Sequence, residues 1–249
     1  MTDHHSRPAT AAADYELASF PNGGIAVVFG GGGGIGGALL DAISSADRFE
    51  RVIALSRSSS PSIDLLDEAT IERAAKFAGD QGELRLVVDA TGFLHDDRQR
   101  PEKTWREINS VNLARSFALN SIGPALIMKH ILPLLPRSGK AVFATLSARV
   151  GSIADNQLGG WYSYRASKAA LNQLVRTAAV ELARRSPEAL CIALHPGTVA
   201  TKLSEPFTAH GLEVHPPATA ARHLLSVVEQ LEADATGGFY DWRGQPVAW

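Results

Sequence analysis

Tyr164 and Lys168 stand four residues apart in the segment YRASK, at the head of a stretch, AALNQLVRTAAVEL, with helical spacing. Residues i and i+4 share one face of a helix, so the ammonium would sit near the phenol and favour its ionised form. A phenol that ordinarily titrates near ~10 could then act as a general acid and base closer to neutral pH. Ser147, at the end of the apolar segment KAVFATLS, offers a hydroxyl upstream of the pair. A second group of residues is the run FGGGGGIGGALL at 29–40. Residues without a Cβ let the backbone turn tightly and approach a pyrophosphate, whose charge the free N–H groups of a helix N-terminus then stabilise. Gly31, Gly33 and Gly36 fit one dinucleotide-binding spacing, and Gly30, Gly34 and Gly36 fit another, which we favour. The Gly-Lys-Ser/Thr of a P-loop is absent.

Both groups depend on the elements that hold them. GIAVVF (Gly24–Phe29) reads as a buried strand and Gly36–Ala46 as the helix that follows it. The alternation continues with a strand at Arg51–Ser56, a helix at Leu66–Ala78 introduced by Asp64, a strand at Glu83–Thr91 and a long helical region at Glu102–Leu135. Lys140–Ser147 is a strand, Trp161–Arg185 a helix, and Leu190–His195 a strand. Helical stretches at Thr201–His210 and Ala218–Ala233 lead to a last strand at Gly237–Trp242. Continuous apolar strands alternating with helices predict a single doubly wound α/β domain of the Rossmann type, with a mostly parallel sheet and helices on both faces. Ligands of such a domain bind beyond the carboxyl ends of its strands. The glycine run falls between the first strand and the first helix, where a phosphate cradle belongs.

A dinucleotide site also needs a residue for the adenosine ribose about 20 positions on; a carboxylate there suits NAD. This chain has Ser56 and Arg57 instead, a hydroxyl and a guanidinium suited to a 2′-phosphate, so NADP is favoured over NAD.

The remaining composition is that of a globular chain. It has 249 residues, 45% of them apolar and 20% charged, with 24 basic against 26 acidic side chains. That balance gives no reason to expect a nucleic acid or an anionic membrane as partner. No segment approaches the ~20 apolar residues of a membrane span and the N-terminus lacks a signal-peptide core, so a cytoplasmic location is expected. The one cysteine, Cys191, lies in an apolar strand and reads as a buried thiol. His4 and His5 read as part of a solvated tail and not as metal ligands, and no metal site is expected. Residues 1–20 read as a loose extension of the domain at 21–249.

From Gly24 to the C-terminus the sequence resembles the short-chain dehydrogenase/reductase family. The resemblance rests on FGGGGGIG at 29–36, DATG at 89–92, Asn120 in LNSIGP, Ser147 in TLSARVG, YRASK at 164–168 and HPGTVAT at 195–201. GSIADNQLGGWYSY, LHPGTVATKLSEPF and the ending FYDWRGQPVAW look more narrowly like the bacterial C-factor (C-signal)-like branch. The resemblance implies that Tyr164 exchanges a proton with the substrate oxygen and Ser147 holds that oxygen. Lys168 would bind the nicotinamide ribose and lower the tyrosine pKa. An asparagine would position a relay water; Asn120 is favoured over Asn112, and Thr145 is the fallback hydroxyl for Ser147. It further implies cofactor contacts from Gly30, Gly32, Gly34, Ile35 and Gly36, from Asp64 and Leu65 at the adenine, and from Ala90, Thr91 and Gly92. Pro196, Gly197 and Thr198 would border the nicotinamide, and Thr201 its carboxamide or the phosphates. Asp64 could alternatively be only a turn or capping residue.

Three departures stand out. Phe29 replaces a threonine whose hydroxyl often tethers the glycine loop, Asp89 replaces the usual first asparagine of NNAG, and extra residues separate Ser147 from Tyr164. The expected activity is NADP(H)-dependent hydride transfer between the nicotinamide and a small carbonyl or alcohol substrate. The alternative is a cofactor-binding sensor or signalling protein with little turnover. His95, Trp161 and parts of 202–215 are candidates for the substrate pocket, with Trp161 and Phe207 alternatively in the core. A homodimer or homotetramer is expected from the resemblance.

Overall fold

The computed structural model describes residues 16–207 and 213–249. Six strands form one sheet: β1 (Ile25–Phe29), β2 (Arg51–Leu55), β3 (Leu84–Asp89), β4 (Ala141–Leu146), β5 (Ala189–His195) and, last in the chain, β8 (Phe239–Asp241). Their spatial order is β2-β1-β3-β4-β5-β8 and every neighbouring pair is parallel. The order reverses beside β1, which places a topological switch point between β1 and β3, where open α/β sheets bind ligands. A small separate pair, β6 (Thr198–Val199) and β7 (Val214–His215), lies beyond β5.

The strands read as unbroken apolar runs because both faces of the sheet are covered. Val27, Phe29, Val87, Phe143 and Cys191 pack on one side with residues of helices α2 (Glu68–Gly79), α4 (Gly123–Ile131) and α5 (Tyr162–Arg185). Ala26, Val28, Leu86, Val142 and Ile192 pack on the other with α1 (Gly34–Ser45) and α6 (Pro217–Gln230). Leu17 and Phe20 join this second core and are almost wholly buried, so packed residues are found ahead of residue 21. Residues 1–15, including His4 and His5, lie outside the described residues.

The strands expected for the sheet are all present, and four other expectations are corrected. The side chain that caps α2 is Asp67, whose carboxylate accepts from the Ala69 N–H at 3.1 Å; Asp64 instead makes a tight turn, accepting from the Leu66 N–H at 2.9 Å. The helical region expected at Glu102–Leu135 starts later, with a short 3₁₀ turn (Trp105–Glu107) and then α3 (Ser110–Phe117), capped by Asn109. A π turn at Ala118–Ile122 joins α3 to α4. The stretch expected to be helical at Thr201–His210 has only a 3₁₀ turn at Glu205–Phe207 among its described residues; residues 208–212 lie outside them. The run Ser110–Leu134 is long and apolar enough to cross a membrane by length and mean hydropathy (1.2), contrary to the expectation from sequence. In the fold its α3 part packs on α5 and its α4 part on α2 and α5.

Candidate active site

The carboxyl ends of β1 to β5 converge on one rim. At β1 the glycine run turns into α1. Gly30 has φ +78°, and a Cβ there would press on the backbone of Ala90 at 3.0 Å. A Cβ on Gly36 would run into the Gly30 carbonyl oxygen. Only glycine fits at positions 30 and 36, and α1 begins at Gly34 with no side-chain cap, so its first N–H groups have no side-chain acceptor. Gly34 lies against the Thr201 side chain, and Gly32 faces Ser56 at the end of β2. This is the geometry that the expected pyrophosphate cradle requires, in which the space a Cβ would fill is left to the loop backbone itself. The missing threonine hydroxyl at position 29 is replaced by backbone ties: Gly30 N–H donates to Leu55 O at 2.8 Å, and Ala90 N–H to Phe29 O at 2.9 Å.

Ser56 is half-buried beneath a serine-rich turn, accepting from the Ser58 N–H at 3.2 Å, and the adjacent Arg57 is exposed. Arg57 makes no ion pair among the described residues. Leu65 packs against Gly123 at the start of α4, whereas Asp64 is exposed and committed to its turn.

At the end of β3 the buried Asp89 ties three segments together. One oxygen accepts from the Thr145 hydroxyl of β4 at 2.8 Å; the other accepts from the Thr91 N–H at 3.0 Å and hydroxyl at 2.6 Å. Thr145 is therefore spent on Asp89 and is no substitute for Ser147. Burial raises the Asp89 carboxyl above the ordinary carboxylate range, against the pull of its three donors and of Lys168. Gly92, in the same segment, lies beside the Lys168 ammonium and the Asn120 amide.

Asn120 is fully buried within the π turn. Its amide accepts from the Phe93 N–H at 2.7 Å and donates to the Phe93 carbonyl at 2.8 Å and the Ser167 hydroxyl at 3.2 Å. Asn112 sits in the first turn of α3, where its N–H donates to the Asn109 cap and its carbonyl accepts from Gln99, whereas the Asn120 amide lies beside Gly92. Extra-wide helical turns of this kind re-aim side chains and recur at functional sites.

Helix α5 carries the central pair. Its N-terminus is built unusually: Gly159, Gly160 and Trp161 have φ of +63°, +66° and +53° in succession. No side chain of α5 caps it; the buried carboxylate of Glu102 does so from a distant loop. Glu102 accepts from the Ser163 N–H at 3.1 Å and from its hydroxyl, and the Trp161 N–H donates to the Glu102 carbonyl. A carboxylate at this end also suits the helix dipole. Lys168 is buried, donating to the Leu146 carbonyl at 2.8 Å. Burial lowers its ammonium to about 8, with Asp89 acting in the opposite direction. Tyr164 is only half-buried as a residue, yet the enclosure of its phenol pushes it up to about 12. The lowering of the tyrosine expected from Lys168 does not appear here, because desolvation of the enclosed phenol is what acts on it.

Ser147 follows β4, extending its pairing through an N–H donated to Leu194 O at 2.8 Å. Its hydroxyl donates to the Asn172 carbonyl oxygen at 2.6 Å. Beyond β5, Pro196 and Gly197 lead into β6; Gly197 lies against Trp242 and His215. Trp161 does not belong to the core. It is half-exposed, edge-on to both Tyr164 and Phe207, and Phe207 meets His95, whose ring Nε2 is 3.1 Å from Leu203 O.

The structure therefore gathers the glycine loop, Ser56, Ala90–Gly92, Asn120, Ser147, Tyr164, Lys168 and Pro196–Thr201 on one rim. Sequence reasoning missed Glu102 and Asn172. Asn172 was within reach, since it follows Tyr164 by eight residues on the same helical face; nothing local marks Glu102.

Comparison with known proteins agrees. A family model described as enoyl-(acyl carrier protein) reductase matches residues 37–230. The C-signal protein of Myxococcus xanthus is 34% identical over 143 residues, 57% of this chain and 82% of that protein. A 1-hydroxy-2-glutathionyl-2-methyl-3-butene dehydrogenase of Rhodococcus sp. is 30% identical over 193 residues, 76% of this chain and 79% of that protein. In fold, the NADPH-bound carbonyl reductase from chicken fatty liver superposes with a TM-score of 0.80 at 24% identity, covering 92% of this chain and all of that one. A parallel sheet with a glycine cradle at its switch point and a Tyr-Lys helix on its rim defines an oxidoreductase dependent on a nicotinamide cofactor. The chain belongs to the short-chain dehydrogenase/reductase family, whose members act on small molecules.

Proposed function

We propose that this protein is an NADP(H)-dependent carbonyl reductase or alcohol dehydrogenase, in which Tyr164, Lys168, Ser147 and Asn120 do the work around the reacting carbon. The observation that carries the reading is the convergence on one rim of a buried Lys168, the Tyr164 phenol one helical turn away, and the glycine cradle that only a close-lying backbone explains. The residues fit a dinucleotide. Gly30, Gly32, Gly34, Ile35 and Gly36 would take the pyrophosphate, with Thr201 beside them, and Ser56 and Arg57 the 2′-phosphate. Leu65, and Asp64 through its backbone, would lie at the adenine. Ala90, Thr91 and Gly92 would line the middle of the site, and Pro196, Gly197 and Thr198 the nicotinamide. When bound, the cofactor supplies or accepts the hydride.

The chain's own groups manage the proton. A phenol held near 12 is fully protonated at neutral pH, ready to give its proton to an oxygen that gains charge as a carbonyl is reduced. Lys168 then faces a newly formed phenolate, and its ammonium stabilises that charge in a low-dielectric site. Asn120, anchored to both polar groups of Phe93, would fix a water that returns the proton. Ser147 would hold the substrate oxygen. Trp161, Phe207 and His95 would wall the substrate. A dimer or tetramer formed by the helices at 110–131 and 162–185 accords with the exposure of Val111, Ile122 and Val180 on them.

The test is NADPH oxidation with a panel of carbonyl compounds, with Tyr164→Phe as control. Turnover that falls at least ~100-fold in the variant, with NADPH binding retained, is the expected result. Turnover unchanged by the substitution would refute the assignment, and cofactor binding without turnover on any carbonyl would favour a sensor or signalling role.

A further inference from the structure

Ser147 and Asn172 are both buried, and the serine hydroxyl donates its only proton to the Asn172 carbonyl oxygen at 2.6 Å. A hydroxyl has one proton and two lone pairs, so in this state Ser147 can accept a hydrogen bond but cannot give one to a substrate oxygen. The other end of the same amide, Asn172 Nδ2, is buried with no acceptor among the described residues. Asn172 lies one turn beyond Lys168 and two beyond Tyr164, on the face of α5 that carries both. Ser147 is pinned by its own backbone bond to Leu194, so the amide is the freer partner.

Turning that amide by half a rotation brings Nδ2 to the serine oxygen and releases the serine proton toward the rim. Each orientation leaves one amide group unpaired: Nδ2 in the first, Oδ1 in the second. The balance is therefore close, and an added acceptor for the serine proton tips it. A carbonyl oxygen in the cleft is such an acceptor. The chain Asn172 N–H to Ser147 O–H to substrate oxygen is also cooperative, since a hydroxyl that accepts a bond donates more strongly.

We propose that Asn172 is a positioning residue that turns its amide when substrate arrives and so converts Ser147 from a satisfied core hydroxyl into a donor to the substrate oxygen. This rests on the carbonyl chemistry proposed above.

Two measurements test it. In the first, the side-chain amide signals of ¹⁵N-labelled protein are followed in a complex with NADP⁺ and cyclohexanone, where no hydride is available; Asn172→Leu assigns the pair. The Asn172 signals should move on ketone binding in the wild type and stay in place in Ser147→Ala. In the second, kcat is compared for Asn172→Asp and Asn172→Leu. Ionised aspartate only accepts, so it keeps the serine proton and should cost about 100-fold, the size of a lost oxyanion donor. Leucine frees the proton without assisting it and should cost less, about tenfold or under. The aspartate variant should recover relative to wild type as pH falls and its carboxyl regains a donor. Tyr164 and Lys168 on α5 keep their protons in both proteins over the acid range in which the new carboxyl titrates, and Asp89 on β3 and His195 on β5 are present in both. A pH-independent ratio, equal losses in the two variants, or unmoved amide signals with ketone bound would overturn the proposal. Absence of both ketone binding and turnover in the wild type would refute the carbonyl reading itself, and this proposal with it.

Discussion

Asp89 shows how a single residue can set the charge of a site from its second layer. Lys168 is brought down to about 8 by burial, and Asp89 opposes that shift. Replacing Asp89 by asparagine keeps an acceptor for Thr145 and removes the opposing charge, so Lys168 should lose its proton at a lower pH. The alkaline limb of the pH–rate profile, at saturating cofactor, should therefore move toward neutrality in Asp89→Asn; an unmoved limb would separate Asp89 from the ammonium. The same titration affects stability with a definite sign. Because the folded pKa of Lys168 lies below its ordinary 10.5, its burial penalty is present in full below about pH 8 and is relieved as pH rises from there toward 10.5. Residue types and spacing were enough to single out Tyr164, Lys168, Ser147 and the glycines, which the fold brings to the carboxyl ends of the strands. They could not reveal that the phenol is raised and not lowered, since that depends on enclosure by distant segments.

At the scale of elements, the head of α5 depends on a carboxylate 61 residues away in sequence. Helices that lack a cap of their own leave N–H groups unsatisfied, and here Glu102 meets that need while fixing Trp161 beside Tyr164. Glu102→Ala should lower unfolding free energy by about 2–3 kcal/mol, the range for a lost charge-assisted bond, measured by urea titration. It should reduce turnover as well, because the first turn of α5, which carries Tyr164, loses the carboxylate that holds Ser163; Glu102→Gln, which keeps an acceptor oxygen, should lose less. Sequence periodicity located every strand of the main sheet to within two residues, because continuous apolar runs between turn residues leave few alternatives. It misread Glu102 as the start of a helix, since a charged residue ahead of a helical pattern looks like a first turn. It also passed over the π turn at Ala118–Ile122, which adds a residue to the helix without altering its composition.

For the molecule as a whole, the sheet separates two cores, and Cys191 lies at the centre of one of them. It is fully buried and its thiol is pushed up to about 12 by burial. An aromatic disulfide reagent should therefore react with it only when the whole domain opens, at a rate that tracks global unfolding and falls when NADP(H) is added. Rapid labelling of the native chain would show that this half of the sheet opens locally.

The floor beneath Gly197 is furnished from the far end of the described chain. Trp242, stacked on His223 and met by the Arg243 guanidinium, lies against Gly197, and the Trp249 carbonyl accepts from the Ala154 N–H ahead of α5. During synthesis the glycine cradle leaves the ribosome early and can fold with β1 to β5. The Gly197 loop and the Ala154 segment must wait for Trp242 and Trp249, so this side of the site is completed after the cradle, and a copy truncated before β8 would carry the cradle without its floor.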